Sequence, residues 1–332
     1  MGENSYVFAC ARVRGNEKNL MSKEQMEKML EAKTPADALK ILLELEYGLG
    51  QEQVAPENFE MLLAWEQKKT YEFIMSIAPE KSHLLMFAYA NDYHNLKTLL
   101  KAELLNIDAS DSLSPVGTIE PMKITALVRE RNFLPFTSEM KNAFNEAVDL
   151  FSRSNDPQTI DLVFDKACYS DMRAIAEESE NDFLIGYVKL LIDTINLKTF
   201  VRIRQMGKSW DFFLRVFING GNIAEKIFVE GYDEPFLQFA ERLTPYGMQE
   251  AMAEGGTILK NTGKFTSFEK YCDNRLVDYV KNAKYVYAGI EPLVAFLVAK
   301  ENEIRNARII MAGKLVGLSS ELIRERLRKT YA

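Results

Sequence analysis

Histidine is nearly absent from this chain: His83 and His94 are the only two in 332 residues. They fall on or beside one predicted helix, eleven positions apart. That is roughly 16 Å of helical rise, too far for the pair to share a metal ion. So few histidines leave little material for Ser–His–Asp or Cys–His catalysis, and no nucleophile elbow is found. Cysteine is scarce as well. Cys10, Cys168 and Cys272 are odd in number and far apart, which gives neither a metal-ligand spacing nor a disulfide framework and points to a reducing compartment. Long apolar runs are missing: residues 84–90 and 293–299 are the longest, far short of the ~20 that a membrane helix needs. A basic excess is missing too. The net charge is −7, which argues against nucleic acid as a partner. Alternating β-type runs with hairpin turns are essentially absent.

What remains reads as helix almost throughout, an all-α chain with short loops. Ser22 with Gln25 forms a capping box. Thr34-Pro35 starts a second helix, with threonine at the cap and proline in the first turn, and Gly48 with Gly50 ends it. Longer helices are expected over residues 58–77, 82–105, 140–151, 183–206, 292–315 and 319–329. Asp156 caps another, and Thr266-Ser267-Phe268-Glu269 reads as a further capping box. Residues 111–115 read as a linker. Met206-Gly207-Lys208-Ser209 has the end of a phosphate-binding loop, but Arg202 stands where its first glycine belongs and a helix precedes it. A helix-terminating glycine is the simpler reading.

Three stretches look like copies of one another: Asn95-Leu96-Lys97-Thr98, Asn196-Leu197-Lys198-Thr199 and Glu303-Ile304-Arg305-Asn306. Asp92 and Asp193 stand three residues upstream of the first two, and Lys300 takes that place in the third. A glycine and a probable helix follow each copy, at Gly117, Gly221 and Gly317. Met21-Ser22-Lys23-Glu24 is echoed by Leu318-Ser319-Ser320-Glu321, as if the last half-unit met the first. A repeat of this period implies units of about 100 residues: 1–105, closed by the C-terminal helices; 106–206; and 207–332 with those helices. A charged set that recurs in several units suits architecture or an interface better than catalysis. Charge is also uneven. Residues 230–254 hold six acids against Arg242, and residues 300–329 hold eight bases against four acids.

The opening Tyr6-Val7-Phe8-Ala9-Cys10-Ala11-Arg12-Val13-Arg14 closely resembles the start of the C subunit of bacterial and archaeal V-type (A/V-type) ATPases. So do Leu20-Met21-Ser22, Leu30-Glu31-Ala32 and the run from Ala38 to Gly48, and the Asn-Leu-Lys motifs and Glu303 to Arg308 extend the likeness to the whole length. That family is related to the d subunit of the eukaryotic vacuolar enzyme. The resemblance implies three similar helical domains with pseudo-threefold symmetry, arranged as a funnel. It implies a rotor adaptor on the cytoplasmic face of the membrane, peripheral, between the D and F subunits of the shaft and the proteolipid ring (its K or c subunits). It implies no catalytic site, no cofactor and no metal, because nucleotide chemistry belongs to the A and B subunits and ion transport to the ring and the I subunit. The repeated helices become candidates for the inner wall of the funnel, with Asp92, Asn95, Lys97, Asp193, Asn196, Lys198 and Arg305 as interface or repeat-motif residues. Two other classes stand beside this one. A generic α-helical repeat scaffold would show a shorter period, which is not seen. An all-α enzyme of the prenyl-synthase kind would carry an Asp-Asp-x-x-Asp cluster, which is absent.

Overall fold

The computed structural model describes residues 4–48, 54–109 and 112–331, and among these it holds helices and no strand. The first helices are α1 (Asn4–Glu17), α2 (Lys23–Glu31), α3 (Pro35–Glu44) and α4 (Phe59–Ile77). Next come α5 (Leu85–Leu105), α6 (Pro121–Arg129), α7 (Ser138–Ser154), α8 (Pro157–Glu178), α9 (Asp182–Gln205) and α10 (Trp210–Val216). The chain closes with α11 (Glu225–Glu230), α12 (Phe236–Arg242), α13 (Gly256–Thr262), α14 (Thr266–Val280), α15 (Glu291–Leu315) and α16 (Ser320–Arg324). Gly50 and Asp111, read above as part of a helix stop and of a linker, lie outside the described residues.

Most helix starts follow their local chemistry. The Ser22 hydroxyl accepts the Gln25 N–H at 3.1 Å, and the Gln25 side chain accepts the Ser22 N–H at 2.8 Å. Thr34 accepts the Asp37 N–H at 3.1 Å, with Pro35 in the first turn where its missing donor costs nothing. Asp156 caps α8 through the Gln158 N–H at 2.9 Å. Gly207, at φ 64°, ends α9, so the Gly-Lys-Ser stretch is a helix stop and not a phosphate loop.

Two expected ends differ. The capping box at Thr266 does not form: Phe265 precedes α14 already in helical conformation, and no side chain caps it. The helix expected over 319–329 stops at Arg324. Beyond it, backbone N–H groups of Arg328 and Lys329 are taken by the Asn306 and Asn274 side chains, which draws the chain out of helical geometry.

The helices form two compact units, residues 1–79 with 226–332 and residues 80–225. In the first, the two ends of the chain build one core. Met21, Met29, Leu30, Leu39, Leu42 and Tyr47 pack with Ile304, Ala307, Ile310, Met311 and Ile323. Ser320 Oγ donates to the Leu30 carbonyl at 2.9 Å, and Arg324 pairs with Glu27 and Glu31, so α16 lies against α2. In the second unit α7 and α8 form a hairpin and α8 packs on α5 and α9. Its aromatic core is edge-on: Phe144 to Phe164 at 6.3 Å between centroids, Tyr93 to Phe164 at 6.4 Å, Phe200 to Phe213 at 5.4 Å.

Candidate functional site

Three long helices, α5, α9 and α15, each carry a buried carboxylate and, three residues later, a buried asparagine. One helical turn separates them, so both side chains leave the same face. On α5 the asparagine is Asn95. Its Nδ2 donates to the Ser114 carbonyl at 3.1 Å, and its Oδ1 accepts the Ser114 N–H at 2.7 Å. On α9, Asn196 does the same to Ile218, at 2.7 and 2.9 Å. On α15, Asn306 does the same to Arg328, at 3.1 and 2.9 Å. A carboxamide offers a donor and an acceptor side by side, so it satisfies a single residue's N–H and C=O together.

The carboxylates hold the next piece of chain. Asp92 accepts the N–H groups of Thr118 (3.0 Å) and Ile119 (3.3 Å), and Asp193 accepts that of Ile223 (2.9 Å) and the side-chain amide of Asn222 (2.8 Å). Ile119 and Ile223 each stand two residues before a helix, α6 and α11. The carboxylate on α15 is Glu303. It accepts the Met21 N–H at 2.5 Å, again two residues before a helix, here α2, and the Tyr47 hydroxyl at 2.6 Å. Each pair thus clamps two points of backbone: the connector that leaves the helix, and the segment that opens another one.

The glycines after the first two motifs now have a reason. A Cβ on Gly117 would lie 2.4 Å from Asp92 Oδ1, and one on Gly221 would lie 2.2 Å from Asp193 Oδ1. The carboxylates sit against these glycines and could not do so against any other residue. In the third case Asn19 holds the corresponding position, and glutamate, longer by one methylene, reaches the backbone from farther away.

The register of the third copy therefore differs from the sequence expectation. Glu303, not Lys300, takes the aspartate's role, and Asn306, not Glu303, takes the asparagine's. The Glu-x-x-Asn spacing was the available signal, but the shared polar–apolar–basic pattern masked it. Gly317 is likewise no clamp glycine. It stands at φ 72° beyond the end of α15.

Lys97 and Arg305 have partners inside their own unit. Lys97 on α5 reaches Asp165 at 2.9 Å and Asp161 at 3.4 Å on α8. Burial would lower its ammonium, but the two aspartates outweigh that and raise it. Arg305 lies 3.2 Å from Asp273 on α14, and Lys198 is half-buried on α9. Arg308, which follows Asn306 as Lys97 follows Asn95, pairs with Glu60 at 2.8 Å. Much of the C-terminal excess of bases is consumed the same way. Lys300, Arg305, Arg308, Arg324, Arg328 and Lys329 all pair with acids of the same unit.

Burial raises the carboxyl groups of Asp92 and Asp193 above the ordinary 3.8, although their hydrogen bonds pull the other way. The folded chain thus binds these protons more tightly than the unfolded chain does. The associated stability is fully present below pH ~3.8 and is lost as pH rises through the raised folded value. Asp193→Asn keeps an acceptor but cannot titrate. Urea unfolding at stepped pH is expected to show wild type losing stability relative to this variant as pH climbs from about 4; parallel profiles would contradict the assignment.

Among the described residues no group of three or more His, Cys, Asp and Glu is placed to hold a metal ion, and no helix is long and apolar enough to cross a membrane. The clamps are scaffolding chemistry, repeated on three helices of one chain.

Comparison with known proteins finds likeness over nearly the whole chain. The family model described as ATP synthase (C/AC39) subunit matches residues 9–326. The chain is 26% identical to the C subunit of the V-type sodium ATPase of Enterococcus hirae, over 96% of this chain and 97% of that protein. It is 25% identical to the C subunit of the A-type ATP synthase of Methanocaldococcus jannaschii, over 97% of this chain and 86% of the relative. It is 26% identical to the C subunit of the A-type ATP synthase of Methanosarcina acetivorans, over 98% and 93%. The match runs from α1 to beyond α16 and takes in all three clamp helices, and on that ground the chain belongs to the ATP synthase (C/AC39) subunit family.

Proposed function

We propose that this chain is the central-stalk adaptor of a V-type ATPase or ATP synthase. It joins the D–F shaft to the proteolipid ring on the cytoplasmic face of the membrane, so that rotation couples ATP hydrolysis or synthesis to proton or sodium ion transport. It performs no chemistry of its own. The observation that carries this reading is the family match from residue 9 to residue 326. The clamps support it physically. An adaptor that transmits torque must not yield between its helices, and connectors whose N–H and C=O are both held by a buried asparagine resist such motion. The division into three similar units, 1–105, 106–206 and 207–332, belongs to the same proposal.

The bases Lys97, Lys198 and Arg305 are the motif residues that reach the surface, since Asp92, Asn95, Asp193 and Asn196 are buried. Affinity purification of the tagged chain from gently solubilised host membranes tests the proposal. Mass spectrometry is expected to recover the D and F shaft subunits with the proteolipid. Recovery of neither, with a constant set of soluble partners instead, would overturn it in favour of a general helical scaffold.

A further inference from the structure

The second unit contains a basic cavity that the clamps and the adaptor role leave unused. It has a volume of about 270 Å³ and is lined by Lys166, Ser170, Arg173, Phe217, Ile218 and Asn219. Lys166, Ser170 and Arg173 follow one another at i, i+4 and i+7 on α8, one face of the helix. No carboxylate is in the lining, in a chain whose net charge is −7. Among the described residues Lys166 makes no ion pair. Arg173 Nε is shut off from solvent and makes no hydrogen bond, although it forms an ion pair with Glu177 at 3.7 Å and the rest of the side chain is partly exposed.

The wall opposite α8 is fixed. Ile218 is held at both backbone groups by Asn196. Gly220 adopts φ 104°, and a Cβ there would lie 2.6 Å from Arg173 Cδ, so the arginine is seated over a glycine that admits it. A second cavity of about 450 Å³ shares Lys166 and Ser170 and adds Arg215; its remaining lining is mixed, with Ala143, Leu150, Leu162, Val163 and Ala167 beside Asn142, Thr159, Glu139 and Glu146.

We infer that this cavity is a binding site for a phosphomonoester. Arg173, Lys166, Ser170 and Asn219 border one space and carry a guanidinium, an ammonium, a hydroxyl and a carboxamide. They supply more donors than the two oxygens of a carboxylate can accept, and they suit a tetrahedral dianion. The apolar residues of the adjoining cavity, Ala143, Leu150, Leu162, Val163 and Ala167, receive the organic part of the ligand. Neither a soluble phosphomonoester nor a lipid phosphate is excluded by this chemistry, and the two differ in what enters that second cavity.

The test is titration of the full chain with glycerol 3-phosphate, with short-chain dihexanoyl phosphatidic acid below its micelle concentration, and with acetate. Arginine Nε–H resonances in a two-dimensional NMR spectrum give the readout. The Arg173 signal, identified by its loss in Arg173→Gln, is expected to shift with either phosphate ligand and not with acetate. Lys166→Gln is expected to weaken binding about tenfold, with an unchanged circular dichroism spectrum and melting temperature. Tighter binding of the lipid form would assign the second cavity to acyl chains, and equal binding would assign the site to the phosphate headgroup alone. A signal that moves with no phosphate ligand, or that moves equally with acetate, would overturn the inference, as would binding indifferent to Lys166→Gln.

Discussion

Lys300→Met is expected to cost the first unit about 3–5 kcal/mol, the range for removing one member of a buried ionic group. Lys300 Nζ stands 2.9 Å from Glu66 and 2.8 Å from Glu303, and all three side chains are 5–6% exposed. Burial would lower the lysine, but the two carboxylates overcome it and raise its pKa. Without the ammonium, two carboxylates face each other out of water. Glu303 keeps the Tyr47 hydroxyl and the Met21 N–H. Glu66 keeps little, because its Oε2 has no hydrogen-bond partner and Lys69 is 3.7 Å away. The loss measures an orphaned charge and not the net worth of the ion pair.

The two tryptophans make the measurement clean, because Trp65 lies in the first unit and Trp210 in the second. In a Trp210→Phe background, urea unfolding followed by Trp65 fluorescence reports the first unit. Adding Glu66→Gln to Lys300→Met is expected to recover a large part of the loss. If the double variant is as unstable as the single one, Glu66 is not the stranded charge.

Asn196→Leu is expected to destabilise the second unit by about 2–6 kcal/mol, because it leaves both backbone groups of Ile218 without partners at roughly 1–3 kcal/mol each. Ile218 is 6% exposed, so water cannot replace the carboxamide. The matching change on α5, Asn95→Leu, should cost less, since Ser114 is half-buried and its backbone can be hydrated. Trp210 fluorescence in a Trp65→Phe background measures both. An Asn196→Leu midpoint equal to that of wild type would show that the clamp bears no weight, and a reversed order of the two variants would show that burial of the connector does not set its cost.

These clamps mark the limit of what the sequence discloses. Helices were legible because their signals are local: the Ser22–Gln25 box, Thr34-Pro35, Asp156 and the apolar spacing all act within one or two turns. The repeated Asp-x-x-Asn was legible as a pattern, yet its role was not. Asparagine on a helix normally faces solvent, and nothing within a few residues of Asn196 announces that Ile218 returns to it. Where long-range bonds decide, local reading fails. The helix predicted over 319–329 ends early because Asn306, 22 residues upstream, holds Arg328. At Thr266 the failure is local in a different way. The capping pattern is present, but the chain is already helical at Phe265, so the hydroxyl arrives one position too late to cap.

The third clamp also sets an order on synthesis. Glu303 and its partner Met21 are 282 residues apart, and at ~5–20 residues per second the first-made of the two waits roughly 15–60 s for the other. Throughout that time Met21, Met29, Leu30, Leu42 and Tyr47 have no α15 to pack against. The stretch 80–225, by contrast, is one continuous compact unit. On the ribosome this continuous middle is expected to fold while the beginning still waits for the end, and the newborn N-terminal helices keep an uncovered apolar face until α15 is made.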